Sequence, residues 1–298
     1  MKVLVPTPVT TAALLADNVP EADASEWSNN TSYAADAKVM KVASHRIYQA
    51  AVPSNGVDPE GDTTGHWVDI APTNRWAMFD QVVGTATVGT GVISLSLAAG
   101  SVGSLAVIDT DADTVRVQVI QGGASIYDVT QATNAGGDQI QDWEAYFFDD
   151  VGKVMSLIFE GLPSYPDAQI NVTITGADAT GPVSVGTLLV GNMAELGSTE
   201  VGASVGIIDY SRKATDDFGV TTVVERAWSK KMTARSMIAT AQAASIQRRL
   251  AALRATPALW IGEDGHDELA VYGFFKDFTI DLPLANISYV SFTIEGLI

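Results

Sequence analysis

The pattern that most restricts how this chain can fold is a hydrophobic period of two. Within residues 168–175, Ile170, Val172 and Ile174 fall on one face while Gln169, Asn171, Thr173 and Thr175 fall on the other. This is the pattern of a strand with one face in a core and one in water. Residues 92–97 and 114–120 alternate in the same way, and 288–297 sets Val290, Phe292 and Ile294 against Tyr289, Ser291, Thr293 and Glu295. Between Trp76 and Gly176 turn residues recur at short intervals, with Gly122-Gly123 and Gly136-Gly137 able to take left-handed backbone in tight loops. Many short strands with frequent turns predict a mainly β chain with an antiparallel sandwich at its centre.

The rest of the chain divides around that sandwich. Residues 1–24 mix Pro, Thr, Ala and acids around a helix-like run at 11–16 and read as an arm. Residues 25–69 carry Trp27, Tyr33, Tyr48 and Trp67 in an otherwise polar stretch, so a small module there must build its core from aromatics. The sandwich is assigned to 70–178. A composition shift near Ala177, with Asp-Ala-Thr-Gly-Pro as linker, opens a C-terminal β domain, 179–298. That domain holds the one long helix predicted, 233–254, with Ile238, Ile246, Leu250 and Leu253 as its apolar stripe. Thr233 is suited to cap it and Pro257 bars its continuation.

Composition excludes several partners. Only 17% of residues are charged, and 35 acids against 17 bases give a net charge of −18. Such a molecule repels nucleic acid and anionic membrane and gains nothing from releasing their counterions. There is no cysteine, hence no disulfide or thiolate metal site, which fits assembly in a reducing cytoplasm. Pro6 and Pro8 interrupt the start of the chain before an apolar signal region develops, and no long uncharged apolar run follows. Neither membrane insertion nor a cleaved signal is expected.

No residue pattern announces catalysis. His45, His66 and His266 are isolated, and no metalloprotease, nucleophile-elbow, Walker or dinucleotide motif occurs. No enzymatic activity and no cofactor are expected, although Asp142, Glu144, Asp149 and Asp150 keep a hydrolase reading open, since glycosidase carboxylates converge only in space. Asp109, Asp111 and Asp113 recur at every second residue, as carboxylates offered to calcium do. A helix-loop-helix calcium loop would need Gly and Glu where Thr114 and Ile120 stand, so an acidic hairpin tip is the better reading. Charge is also unevenly distributed. From 212 to 254 there are nine Lys or Arg and three Asp or Glu, a balance of +6 against −24 elsewhere. Arg212, Lys213, Arg248 and Arg249 are therefore candidate subunit contacts, the alternative being a solvated basic face.

Two resemblances add to this reading. Trp27-x5-Tyr33, Val39, Tyr48-x-Ala50, Gly56-x-x-Pro59 and the closing Trp67 resemble the small chitin-binding modules appended to bacterial chitinases. The resemblance implies sugar contact through Trp27, Tyr48 and Trp67, whereas the residues read on their own favour a module core, since so small and polar a segment must build its core from aromatics. Trp67-Val-Asp-Ile-Ala-Pro-Thr-Asn-Arg-Trp-Ala-Met-Phe-Asp80 looks like the opening of the jelly-roll, galactose-binding-like domain of siphophage tail-tip and baseplate proteins. Gly206-Ile-Ile-Asp-Tyr-Ser-Arg-Lys213, Asp217-Phe-Gly219 and Phe292-Thr-Ile-Glu-Gly-Leu297 are similar to the same distal-tail-like proteins. This resemblance implies a structural virion protein, assembled in the host cytoplasm, with copies of itself and other tail proteins as partners. A receptor-binding role toward a host surface glycan is the alternative.

Overall fold

The computed structural model describes residues 1–133, 156–215, 218–219, 221–282 and 285–297. The fold is mainly β, and the chain forms two units, one of residues 8–190 and one of residues 1–7 with 191–298. The expected division near Ala177 is thus displaced. The strand Pro182–Glu195 continues through it, belonging to the first unit up to Val190 and to the second from Gly191.

In the first unit the predicted strands form a sandwich. One sheet has the order Ala124–Ala132, Thr114–Gln121, Gln169–Thr175, Val92–Leu97, Leu14–Asp17; the other runs Ser156–Glu160, Ser104–Thr110, Pro182–Glu195, Thr87–Thr90. Following the eight strands described from Thr87 to Glu195, the chain changes sheet at each connection except the hairpin between Thr114–Gln121 and Ala124–Ala132. With these neighbours, that is the path of a jelly roll. Register explains why the alternation was so clear. Val172 lies between Leu95 and Val117, Ile174 between Ile93 and Val115, and Ile170 between Leu97 and Val119. These three rows face Leu105, Val107, Phe159, Val183 and Val185 in one buried cluster.

Three expectations for this unit are corrected. The run 11–16 is not helical: a turn at Thr10–Ala13 leads into the edge strand Leu14–Asp17, paired with Val92–Leu97. The arm is therefore divided, with Leu14–Asp17 part of the sandwich and Lys2–Pro6 part of the second unit. Asp109, Asp111 and Asp113 do not mark a hairpin tip, because the strands on either side belong to different sheets. They form a corner, where Asp111 accepts the Ser184 N–H (2.6 Å) and the Asp113 N–H donates to the Thr175 carbonyl (2.8 Å). Trp67–Pro72 is the last strand of the aromatic module rather than the first of the sandwich.

The module orders its strands Ser25–Glu26, Lys38–Lys41, Arg46–Ala50, Trp67–Pro72, with a small second sheet of Ser32–Tyr33 and Ser54–Asn55. Its core is Val39, Tyr48, Ala50 and Trp67, a cluster separate from that of the sandwich. The loop before Trp67 is drawn onto Asp62. Its carboxyl is held down at about 2 by the Thr64 hydroxyl first, and by the backbone N–H groups of Thr64, Trp67 and His66. A depressed carboxyl contributes stability above its unfolded value and loses it as pH falls toward the folded one. The loop is therefore expected to loosen only between about pH 4 and pH 2, read as a change in Trp67 indole fluorescence or NMR shift that Asp62→Asn reproduces at neutral pH. A Trp67 signal flat through that window would contradict this.

In the second unit one sheet orders Gly191–Glu195 of the shared strand, Lys2–Pro6, Ala258–Ile261, Ala270–Asp281, Ile287–Gly296 and Trp228–Ala239. Gly191 stands opposite Pro6, where an added Cβ would lie 2.0 Å from the Val5 carbonyl oxygen, so the close approach requires glycine. The predicted helix 233–254 is strand in its first seven residues, 233–239. Residues 228–239 pair with Ile287–Gly296 from Lys231↔Glu295 to Ala239↔Ile287, and Met232, Ala234, Ser236 and Ile238 are buried at period two. Thr233 is thus a ladder residue, not a cap. Only Ala243–Ala252 is α-helical, preceded by a 3-10 turn at Thr240–Gln242. It buries Ile246, Leu250 and the following Leu253 against Trp260, Val290 and Phe292. Ladder bonds on both sides of residues 231–233 outweigh the helix preference of Lys, Met, Ala and Arg in this stretch.

Candidate assembly surface

The strand Trp228–Ala239 has two different surroundings. From Lys231 it lies beside Ile287–Gly296 in the sheet, but its first residues, Trp228 to Lys230, pair only with Ser204–Asp209 among the described residues. Beyond Asp209 the ribbon resumes as Arg212–Thr215 paired with Thr221–Val224. Every residue of those two short strands is exposed. At the turn of direction, Asp209 accepts the Ser211 N–H at 2.8 Å, and the Ser211 hydroxyl above all, then this N–H and the Lys213 ammonium, hold its carboxyl below the usual range.

Exposed apolar side chains concentrate on this ribbon. Ile207 is 64% exposed, Trp228 54% and Phe218 92%, and Val205, Tyr210, Val223 and Val224 are exposed beside them. A two-stranded ribbon is at best marginally stable alone in water. Several large exposed apolar side chains on one ribbon, with unpaired strand edges, mark a candidate site of association. Arg212 stands across from Val224 and Lys213 across from Val223, so apolar and cationic groups share the same ribbon. Edge cations of this kind also discourage indiscriminate strand pairing.

The residues singled out in the sequence are placed as follows. Arg212 and Lys213 lie on the ribbon, with Lys213 3.6 Å from Asp209. Arg248 and Arg249 lie on the solvent side of the helix, a separate element. Tyr48 and Trp67 are 5% and 6% exposed. The Trp67 indole donates to the Val57 carbonyl (3.0 Å) and packs edge-on to Tyr33, so these two rings are withdrawn from sugar stacking and serve the module core. Trp27 is partly buried, with the Lys41 ammonium 5.5 Å from its ring. The corner carboxylates Asp109, Asp111 and Asp113 do not converge on a metal, and no group of three potential metal ligands exists among the described residues. Asp142, Glu144, Asp149 and Asp150 lie outside the described residues, as do Gly136 and Gly137.

The second unit also contains a cavity of about 490 Å³, lined in part by Met1, Glu195, Thr199, Met237, Glu263 and Asp264. The Met1 ammonium donates to the Gly197 carbonyl (2.9 Å) and the Thr199 hydroxyl (2.7 Å). Burial pushes that ammonium below its ordinary value against the opposing pull of Glu263 and Asp264. Lys2 meets Asp264 at 2.8 Å. Three carboxylates and two cations thus line a nearly balanced polar pocket.

The sequence reading did not identify the ribbon as a surface. Its signal was present in Val205-x-Ile207, Val223-Val224 and Trp228, apolar residues in a stretch with too few turns to fold them back onto a core. In comparisons with known proteins, no family model and no curated protein matches this chain.

Proposed function

We propose that the chain is a structural virion protein of a bacteriophage tail tip or baseplate, forming a symmetric ring or adaptor between the tail tube and the tip or fibres. The observation that supports this reading is the ribbon built from Ser204–Asp209, Arg212–Thr215, Thr221–Val224 and the start of Trp228–Ala239, on which Ile207, Val223 and Trp228 are each more than half exposed. A ribbon from one copy laid on a different surface of the next makes a heterologous contact, and such contacts close into rings when the rotation allows. The jelly roll and the resemblance to distal-tail-like siphophage proteins point the same way. The protein's partners are then its own copies and adjoining tail proteins, and its place is the virion after assembly in the host cytoplasm.

The test is the sedimentation mass of the full chain, run beside binding to arrays of host surface glycans. An oligomer whose mass is an integer multiple of 31.3 kDa, with no retained glycan, is the expected result. A monomer that binds a defined glycan would replace this reading with a receptor-binding one.

A further inference from the structure

The aromatic module is an insertion. The chain leaves the sandwich after Leu14–Asp17, builds the module, and returns through residues 73–76 before Thr87–Thr90. Its apolar core and that of the sandwich are separate clusters. Besides the stacking of His45 on Trp76 and the Thr73 N–H donated to the His45 carbonyl (2.9 Å), what joins them is a network of polar side chains where the two chain crossings run side by side. Arg75 on the return crossing donates through Nε to Asp17 on the outgoing one (2.8 Å), and its Nη1 stands 3.7 Å from Glu21. Thr73 donates its hydroxyl to Glu21 Oε1 (2.8 Å), and the Asn74 N–H donates to Asp23 (3.0 Å).

The module reaches into this network with one residue. His45, in the turn between Lys38–Lys41 and Arg46–Ala50, takes a left-handed backbone at φ 55°. Its Nδ1 meets Glu21 Oε1 at 2.9 Å, its Nε2 meets the Thr11 hydroxyl at 2.9 Å, and its ring stacks on Trp76 at 4.0 Å between centroids. The Asp17 and Glu21 side chains are only 4% and 5% exposed. Beyond the Thr73 hydroxyl on Glu21 and the Val19 N–H on Asp17 (3.0 Å), the two buried carboxylates have one guanidinium and this imidazole as their ionisable partners, and no hydrogen bond reaches Glu21 Oε2. A buried carboxylate stripped of its partner is costly, so the network holds strongly when complete and fails when one member goes.

We infer that the module is a hinged head, locked to the sandwich in one orientation by a latch of Asp17, Glu21, Arg75 and His45, and free to swing on its two chain crossings once the latch opens. This inference does not depend on the proposed function. Because the chain has no cysteine, Val52→Cys on the module and Thr130→Cys on the sandwich place two spin labels without further engineering. Distances between them in the full chain test the latch by double electron–electron resonance. The otherwise unaltered chain should give a single narrow distance. Arg75→Met should at least double the width of the distribution, as should His45→Asn, a residue that tolerates the left-handed backbone. Arg46→Met, which removes only the surface pair with Asp69 inside the module, should not. If Arg75→Met does not fold, His45→Asn decides. Distributions as narrow in both latch variants as in the parent, or a broad one in the parent itself, would overturn the inference.

Discussion

Replacing Ile207, Val223 and Trp228 together by Thr is expected to leave the chain folded and to abolish its oligomer. All three side chains are more than half exposed, and Thr keeps the strand preference of the ribbon. The cost to the isolated chain is thus about 0.5 kcal/mol or less at each position. In an assembly the same residues would be buried anchors. Interface anchors lose about 2 kcal/mol or more on truncation, Trp most of all, so even partial additivity raises the dissociation constant by about three orders of magnitude. Sedimentation of the triple variant should show monomer with an unchanged thermal melt. An oligomer of parental mass in that variant would place the contact elsewhere, with the exposed cations Arg248 and Arg249 of the helix as the next surface to reverse.

Leu250→Asp, by contrast, should prevent the second unit from folding at all. Leu250 is fully buried beneath the helix, in the cluster that includes Trp260, Phe292 and Ile246. Losing a buried leucine costs about 2–5 kcal/mol, and an unpaired carboxylate in the same place adds several kcal/mol more. The sum rivals the roughly 5–15 kcal/mol that separates a folded domain from its unfolded chain. Arg249→Asp, one residue earlier and exposed, is the control and should be tolerated. Circular dichroism melts of the two variants settle the matter, since equal melting temperatures would mean that the helix does not cover this core.

These two outcomes divide along the same line as what the sequence made legible. Where both sheet partners were themselves alternating, as for Ile170, Val172 and Ile174 between Ile93–Leu97 and Val115–Val119, the pattern read directly as structure. The lower half of the predicted helix was legible too, because Ile246, Leu250 and Leu253 repeat at helical spacing. Residues 233–239 were not. Their buried face is Ala234, Ser236 and Ile238, small or polar enough to hide the period of two, and their ladder partner is some fifty residues away in sequence. Distance in sequence also hid the role of Lys2–Pro6, which lies between Gly191–Glu195 and Ala258–Ile261 and so joins the C-terminal unit. For the candidate site, Arg212 and Lys213 were found through charge, but the ribbon that carries them was not, since exposed apolar residues in a strand look like core until their neighbours are known. The aromatic set had the opposite fate, with Tyr48 and Trp67 turned into the module.

The central claim, that this chain is an architectural ring component of a phage tail, is tested most directly by a cryo-electron microscopy reconstruction of tailed particles that carry it. The account predicts a closed ring of copies at the distal end of the tail, with ribbon 204–233 of each copy seated on its neighbour. A reconstruction in which the chain lies away from the distal end of the tail, or stands as separate monomers with the ribbon in solvent, would contradict it.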